Sequence, residues 1–149
     1  MTFLETVLPS NANNTYKGSS IALWIFTAFT VVSFIRSLIH MLKNDGGAQS
    51  IATIPLDKYP KKASETIVFI FGYWGISQLL MCFVYAVIIW KYQNLLPLGW
   101  ILFTFEYGLR LTQKMYKTIE TVGQAPGGIL NLFGPLIGIF MFWLSLPSL

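Results

Sequence analysis

Charge is scarce in this chain of 149 residues, because only 11% of them are Asp, Glu, Lys or Arg. Soluble domains average about 25%. Hydrophobic residues make up 54% of the chain, and its mean hydropathy is +0.60. The shortage of charge therefore argues against a soluble globular domain and predicts a single-domain integral membrane protein.

Cysteine and histidine each occur once, as Cys82 and His40. A single cysteine leaves no intramolecular disulfide and no cysteine metal cluster. Cys82 lies within an apolar run and is predicted to be a small buried side chain. The chain also lacks a catalytic triad, a phosphate-binding loop and a dinucleotide fingerprint. We therefore expect no metal and no other cofactor, and we favour a non-enzymatic protein over an enzyme.

Four apolar segments are predicted to cross the membrane as α-helices: residues 19–42, 64–90, 95–117 and 127–146. At 1.5 Å per residue, each can span a hydrocarbon core of about 30 Å. Ser19 or Ser20 suits the N-cap of the first helix, and Gly134-Pro135 predicts a kink in the fourth. The fold class is therefore all-α, a polytopic membrane protein with four transmembrane helices in a bundle.

The distribution of basic residues predicts the orientation of this bundle. Only Lys17 and Lys91 lie on one side, whereas six lysines lie in the first and third connections: Lys43, Lys58, Lys61, Lys62, Lys114 and Lys117. The positive-inside rule then places both termini outside and the connection of residues 43–63 in the cytoplasm. Four tryptophans fall near the predicted outer ends, as an aromatic belt would, and Trp74 is the exception: Trp24, Trp90, Trp100 and Trp143.

The longest connection, residues 43–63, is unusually apolar for a loop. Asn44-Asp45-Gly46-Gly47 reads as a helix stop and turn, because glycine tolerates positive φ and Asn and Asp cap locally. Residues 48–56 are then mostly apolar. We expect this stretch to lie at the interface or against the bundle, and we call residues 43–63 the lid loop.

Charged residues inside the predicted spans are the best candidates for a functional site. Each costs roughly 2.5–3.5 kcal/mol on insertion, so such residues usually face the bundle and find partners. Arg36 and His40 lie one turn apart on the first span, and Glu106 and Arg110 lie one turn apart on the third. Both spans run from outside to inside in the predicted orientation, so the two arginines lie at similar depth.

The fourth span adds a further polar residue at that level. Asn131 lies near its cytoplasmic end, and Pro135 cannot donate to the Asn131 carbonyl, which leaves an acceptor there. The sequence therefore predicts one polar cluster in the cytoplasmic half of the bundle, roofed by Asp45, Gly46 and Gly47. Its other members are Arg36, His40, Glu106, Arg110 and Asn131.

Three readings of this cluster remain open. Two guanidinium groups suit a lipid-like or small anionic ligand, or a partner protein, because guanidinium binds carboxylate and phosphate in a planar fork. Alternatively, the cluster only fixes helix packing in a scaffold or assembly subunit, with Glu106–Arg110 as an i,i+4 pair and Arg36 extended to the interface. A third reading is a membrane enzyme that uses His40 or Glu106 as acid or base.

The expected partners are membrane lipid and a second copy or another subunit of a membrane complex. Gly134 and Gly138 have the spacing of a helix-dimer motif, although Pro135 stands between them. Nucleic acid is not expected, because the basic residues flank apolar segments, where they orient helices in the bilayer.

Several motifs resemble a group of small bacterial integral membrane proteins to which no activity is assigned. They are RSLIH from Arg36, DGGAQSIATIPL from Asp45, GISQLL, VIIWKYQNLLP, FEYGLR and APGGILN. The resemblance covers most of the chain after Arg36, although the group favours proline where this chain has Asn44. It implies a bacterial source and location in the inner (plasma) membrane, and it implies no residue roles.

Overall fold

The structure, a computed structural model, describes residues 2–147, which fold into helices and turns without a β-strand. Five α-helices follow one another along the chain: α1 (Phe3–Val7), α2 (Ser20–Leu42), α3 (Lys61–Lys91), α4 (Leu96–Tyr116) and α5 (Gly127–Ser145). Single 3-10 turns precede α3 and α4, at Leu56–Lys58 and Gln93–Leu95. The all-helical prediction is confirmed, and α2 to α5 begin and end within three residues of the predicted segments.

Three of the four long helices, α2, α3 and α5, are long and apolar enough to cross a membrane. Helix α4 has 21 residues but is less apolar, because Glu106, Arg110 and Lys114 lie within it. Ser19 is the N-cap of α2 and accepts a hydrogen bond from the Ile21 N–H. Helix α5 continues through Pro135 without a break.

Glycine allows the helices to pack closely in two pairs, α2 with α3 and α4 with α5. A Cβ atom at Gly75 of α3 would lie 2.8 Å from the His40 Cβ, so only glycine fits there. On α5, Gly134 packs against the Tyr107 ring and Gly138 against Thr104. The Gly134–Gly138 spacing thus serves contact with α4 within the chain, so its use in a dimer has no support here.

Aromatic side chains fill the space between the two helix pairs. The Phe26 ring packs edge-on against Tyr85 and Trp100, with centroid distances of 4.8 and 5.1 Å. Trp100 is fully buried, so its predicted place in a lipid-facing belt is wrong. Because Phe103 and Tyr107 follow it at helical spacing and are also buried, this face of α4 points into the core. The other predicted belt residues, Trp24, Trp90 and Trp143, are exposed.

The lid loop, whose last three residues belong to α3, has a small core of its own. Ala48, Ile54 and Leu56 are buried and pack against the first turns of α3. Thr53 joins the loop to the α4–α5 connection through two hydrogen bonds of 2.9 Å: its hydroxyl donates to the Gly123 carbonyl, and its carbonyl accepts from the Val122 N–H. The loop is therefore folded onto the end of the bundle, as its apolar run predicted.

Candidate functional site

Two arginines from different helices meet at the side chain of Gln78. We assign the Gln78 amide with its oxygen toward three donors, because this orientation satisfies the hydrogen-bond network and the opposite one does not. This oxygen accepts from Arg110 Nη2 at 2.7 Å, from Arg36 Nη2 at 3.2 Å and from Trp74 Nε1 at 3.0 Å. The buried face of α3 thus carries an acceptor that holds one guanidinium from α2 and one from α4.

The Trp74 ring provides a second contact for both arginines. The Arg110 guanidinium carbon lies 5.0 Å from the ring centroid, and that of Arg36 lies 6.0 Å from it. At such distances the aromatic face attracts a cation, and more strongly where water is excluded. We call these residues and their carboxylate the arginine cluster: Arg36, Trp74, Gln78, Glu106 and Arg110.

The arginine cluster carries more positive than negative charge. Glu106 accepts a hydrogen bond from Arg110 one turn later on α4, and the pair is an ion pair. Within residues 2–147, Arg36 has no carboxylate within 4 Å. Arg110 is therefore the guanidinium paired with the carboxylate, while the half-buried Arg36 contacts the neutral side chains of Gln78 and Trp74 and lies close to the Tyr107 hydroxyl.

His40 lies one turn beyond Arg36 and links the cluster to the lid loop. Its ring stacks on Trp74 with a centroid distance of 4.8 Å and an interplanar angle of 25°. Its Nδ1 lies 2.7 Å from the Gly46 carbonyl oxygen. A carbonyl can only accept, so Nδ1 carries the proton, and in the neutral ring Nε2 carries the lone pair. That Nε2 is buried and has no hydrogen-bond partner in the described part of the chain.

Gly46 and Gly47 have φ angles of +58° and +73°, a region that side chains rarely adopt. A Cβ at Gly46 would lie 3.1 Å from the Phe71 Cβ, and one at Gly47 would lie 3.3 Å from His40 Nδ1. Both glycines therefore let the loop backbone reach the histidine. They lie over His40 and were predicted to roof the cluster.

Asp45 is turned into the lid loop. Its carboxylate accepts from the Gly47 N–H at 3.1 Å and from the Ser50 N–H at 2.7 Å. Desolvation alone would raise its pKa, but hydrogen bonds from Ser50 and Gly47 and the charge of Lys43 lower the pKa of Asp45 to about 2. Its visible role is to shape the Gly46-Gly47 turn.

Asn131 is half-buried on α5. Gly134, one turn later, packs against Tyr107, one turn before Arg110, so Asn131 lies at about the depth of Arg110. Its side chain makes no hydrogen bond to the arginine cluster within residues 2–147. The structure thus brings together Arg36, His40, Glu106 and Arg110, with Gly46 and Gly47 beside them. Asp45 reaches these residues only through its hydrogen bond from the Gly47 N–H, and the Asn131 side chain has no hydrogen bond to them among the described residues.

Two members of the cluster were absent from the predicted site. Gln78 lies near the middle of the second predicted span and was not placed in the predicted site, and Trp74 was considered only as a tryptophan outside the belt. Their spacing of four residues places them on one face of α3, next to Gly75. Trp74 and Gln78, two hydrogen-bonding side chains on the same helix face as Gly75, were the sequence feature that could have indicated this part of the site.

No protein-family model, curated protein or solved structure matches this chain.

Proposed function

We propose that the chain is a four-helix membrane protein of the bacterial inner membrane, with both termini outside, that binds an anionic group at the arginine cluster. The three apolar helices support a multi-pass arrangement. The positive-inside distribution supports the orientation, and the resemblance of several motifs to those of small bacterial membrane proteins supports the location.

The packing of α4 supports it as the fourth span. Its Glu106 and Arg110 pair with each other, and Arg110 also contacts Gln78 of α3. Helix α5 covers another face of α4 through Gly134 and Gly138. Polar side chains that are paired and turned toward neighbouring helices reduce the cost of placing α4 in hydrocarbon.

The observation that carries the binding proposal is the convergence of Arg36 and Arg110 on one oxygen, with Glu106 as the only carboxylate paired there among residues 2–147. A half-buried charge is costly unless it is paired. A phosphate or carboxylate beside Arg36 would supply the missing negative charge and would accept the forked N–H donors of guanidinium.

The anion has a route to the cluster. The Arg110 side chain is 18% exposed and Trp74 is 37% exposed, so the site is open at its edge. Helices α3 and α4, which carry these residues, approach each other closely at few positions. The shared chemistry is an anionic oxygen group, from a lipid headgroup or from a free anion.

Native mass spectrometry of the protein in mild detergent tests the proposal. Phosphatidylglycerol, phosphatidylcholine and inorganic phosphate are titrated separately. We expect phosphatidylglycerol or phosphate to bind and phosphatidylcholine to bind less. The same spectra report whether the chain is a monomer, a homo-oligomer or part of a larger complex.

The Arg36→Gln variant is expected to weaken anion binding about tenfold or more, because hydrogen bonds to charged groups contribute roughly 1.5–3 kcal/mol. Lys114→Gln is the matched control, since Lys114 is exposed in the last turn of α4 and outside the cluster. Equal affinity in wild type and Arg36→Gln would refute the proposal. If Arg36→Gln lowers only the stability, the cluster is a packing network of a scaffold subunit.

A further inference from the structure

A small cavity, open on one side, lies between α2, α3 and α4, on the side of the arginine cluster away from the lid loop. Its volume of about 10 Å³ is close to the least that one water molecule needs. Its polar lining comes from all three helices: Ser33 and Arg36, then Gln78, Cys82 and Tyr85, then Glu106. Phe29 and Met81 complete the wall.

Two hydroxyl groups in this lining lack partners. Ser33 is 6% exposed and Tyr85 is 1% exposed, so both residues are buried. Neither hydroxyl makes a hydrogen bond to any residue that the structure describes. Buried polar groups in proteins are almost always hydrogen-bonded to protein or to ordered water. An unpaired buried hydroxyl carries its full desolvation penalty, so two of them beside one cavity call for a shared partner.

We propose that this cavity binds one ordered water molecule, which accepts hydrogen bonds from the Ser33 and Tyr85 hydroxyls and donates to the Glu106 carboxylate. The lining offers both kinds of group that a water needs: hydroxyl donors and a carboxylate acceptor. A halide ion of similar size would satisfy the hydroxyls, but it would face the carboxylate of Glu106. An apolar guest would leave both hydroxyls unpaired.

The water joins three helices, and two of them, α3 and α4, have few direct contacts with each other. Ser33 belongs to α2, Tyr85 to α3 and Glu106 to α4. The bridge would hold the Glu106 carboxylate in place, and Glu106 in turn holds Arg110. This inference does not require the proposed anion binding, because Ser33 and Tyr85 lie outside the arginine cluster, although Arg36 and Gln78 also line the cavity.

Removing a hydroxyl from the cavity lining changes the stability of the protein in opposite directions for a hydrated and for a dry cavity. In the hydrated case, Tyr85→Phe removes a satisfied hydrogen bond, and the equilibrium constant for folding falls roughly fivefold. In the dry case, the same change removes an unpaired hydroxyl, and the constant rises. Ser33→Ala is expected to follow the same rule. Reversible unfolding by SDS in mixed micelles measures both.

Tyr107→Phe is the matched control, because its hydroxyl is also buried but lies near the Arg36 guanidinium and does not line the cavity. We expect its effect on the folding constant to be independent of Ser33→Ala. If the Ser33 and Tyr85 hydroxyls bind the same water, the double variant departs from the product of the single effects by at least about twofold. Unchanged or raised constants for both single variants, with no such coupling, would overturn the proposal.

If a variant does not fold, an NMR measurement on the wild-type protein still tests whether the cavity holds water. Solid-state NMR in lipid bilayers detects magnetisation transfer from water to the Tyr85 ring and Glu106 side chain. Transfer to both, at a rate above that of the buried Phe26 ring, supports the bound water. Absence of transfer to both groups would refute it.

Discussion

A disulfide between residues 53 and 123 would lock the lid loop onto the α4–α5 connection. A Cβ atom placed on Gly123 lies 3.9 Å from the Thr53 Cβ, within the range of about 3.5–4.5 Å found in disulfides. Gly123 does not have a positive φ, so cysteine fits its backbone. The native Cys82 is buried on α3 and does not compete for the bond. The Thr53→Cys/Gly123→Cys variant should therefore oxidise readily.

The expected stabilisation follows from the length of chain that the bond closes. Residues 53 and 123 are 70 positions apart, and closing such a loop removes chain entropy worth about 4 kcal/mol at 25 °C. The variant also loses the hydrogen bond from the Thr53 hydroxyl to Gly123, worth about 1 kcal/mol. We expect a net gain of about 3 kcal/mol at most, because residual structure in the unfolded state reduces the entropy gain.

Unfolding of the oxidised and reduced forms, with each single cysteine variant as a control, measures this gain. A pair that does not oxidise under mild conditions would contradict the placement of the lid loop on the α4–α5 connection. The oxidised form also separates two routes for the anion. Unchanged phosphatidylglycerol binding is expected if the headgroup enters between α3 and α4, whereas slowed binding would show that the loop must open.

Two further predictions concern the packing of α2 on α3 and the lid loop turn. Gly75→Ala should destabilise the protein by about 1–3 kcal/mol in an unfolding assay, because the added Cβ would lie 2.8 Å from the His40 Cβ. Gly72→Ala is the control. Its added Cβ would lie 3.9 Å from the nearest atom, so this change should be neutral or stabilising. Asp45→Asn should cost about 1 kcal/mol at pH 7. Because the pKa of Asp45 is lowered from 3.8 to about 2, this difference from wild type should be present above pH 4 and vanish as the pH falls to 2 in thermal unfolding scans.

The positions of the long helices could be predicted because hydrophobic run length and caps are local properties. Ser19 begins α2 as its side chain indicates, and α2 to α5 follow the apolar segments. Trp100 could not be placed in this way, because its sequence neighbourhood resembles that of the exposed Trp90. Its burial depends on the Phe26 ring of another helix, which packs against it.

Part of the candidate site could also be predicted, because the spacing of residues along one helix is a local property. Spacing of four residues puts Arg36 beside His40 and Glu106 beside Arg110. The second pair is an ion pair, and both members of the first contact the Trp74 ring. Gln78 and Trp74 could not be assigned to the arginines, because nothing local indicates which helix faces which. Asp45 had two plausible partners, the cluster and its own turn, and the turn is the nearer one.

The sequence alone determined that this is an all-helical protein with long apolar helices and two polar pairs at helical spacing. Helix formation and the residues that share a face follow from hydrogen bonding and periodicity within each segment. Only the tertiary structure decided that α3 lies beside both arginine-bearing helices and offers them one oxygen. That arrangement depends on which helix surfaces fit together, and here Gly75, Gly134, Gly138 and the aromatic layer set the fit.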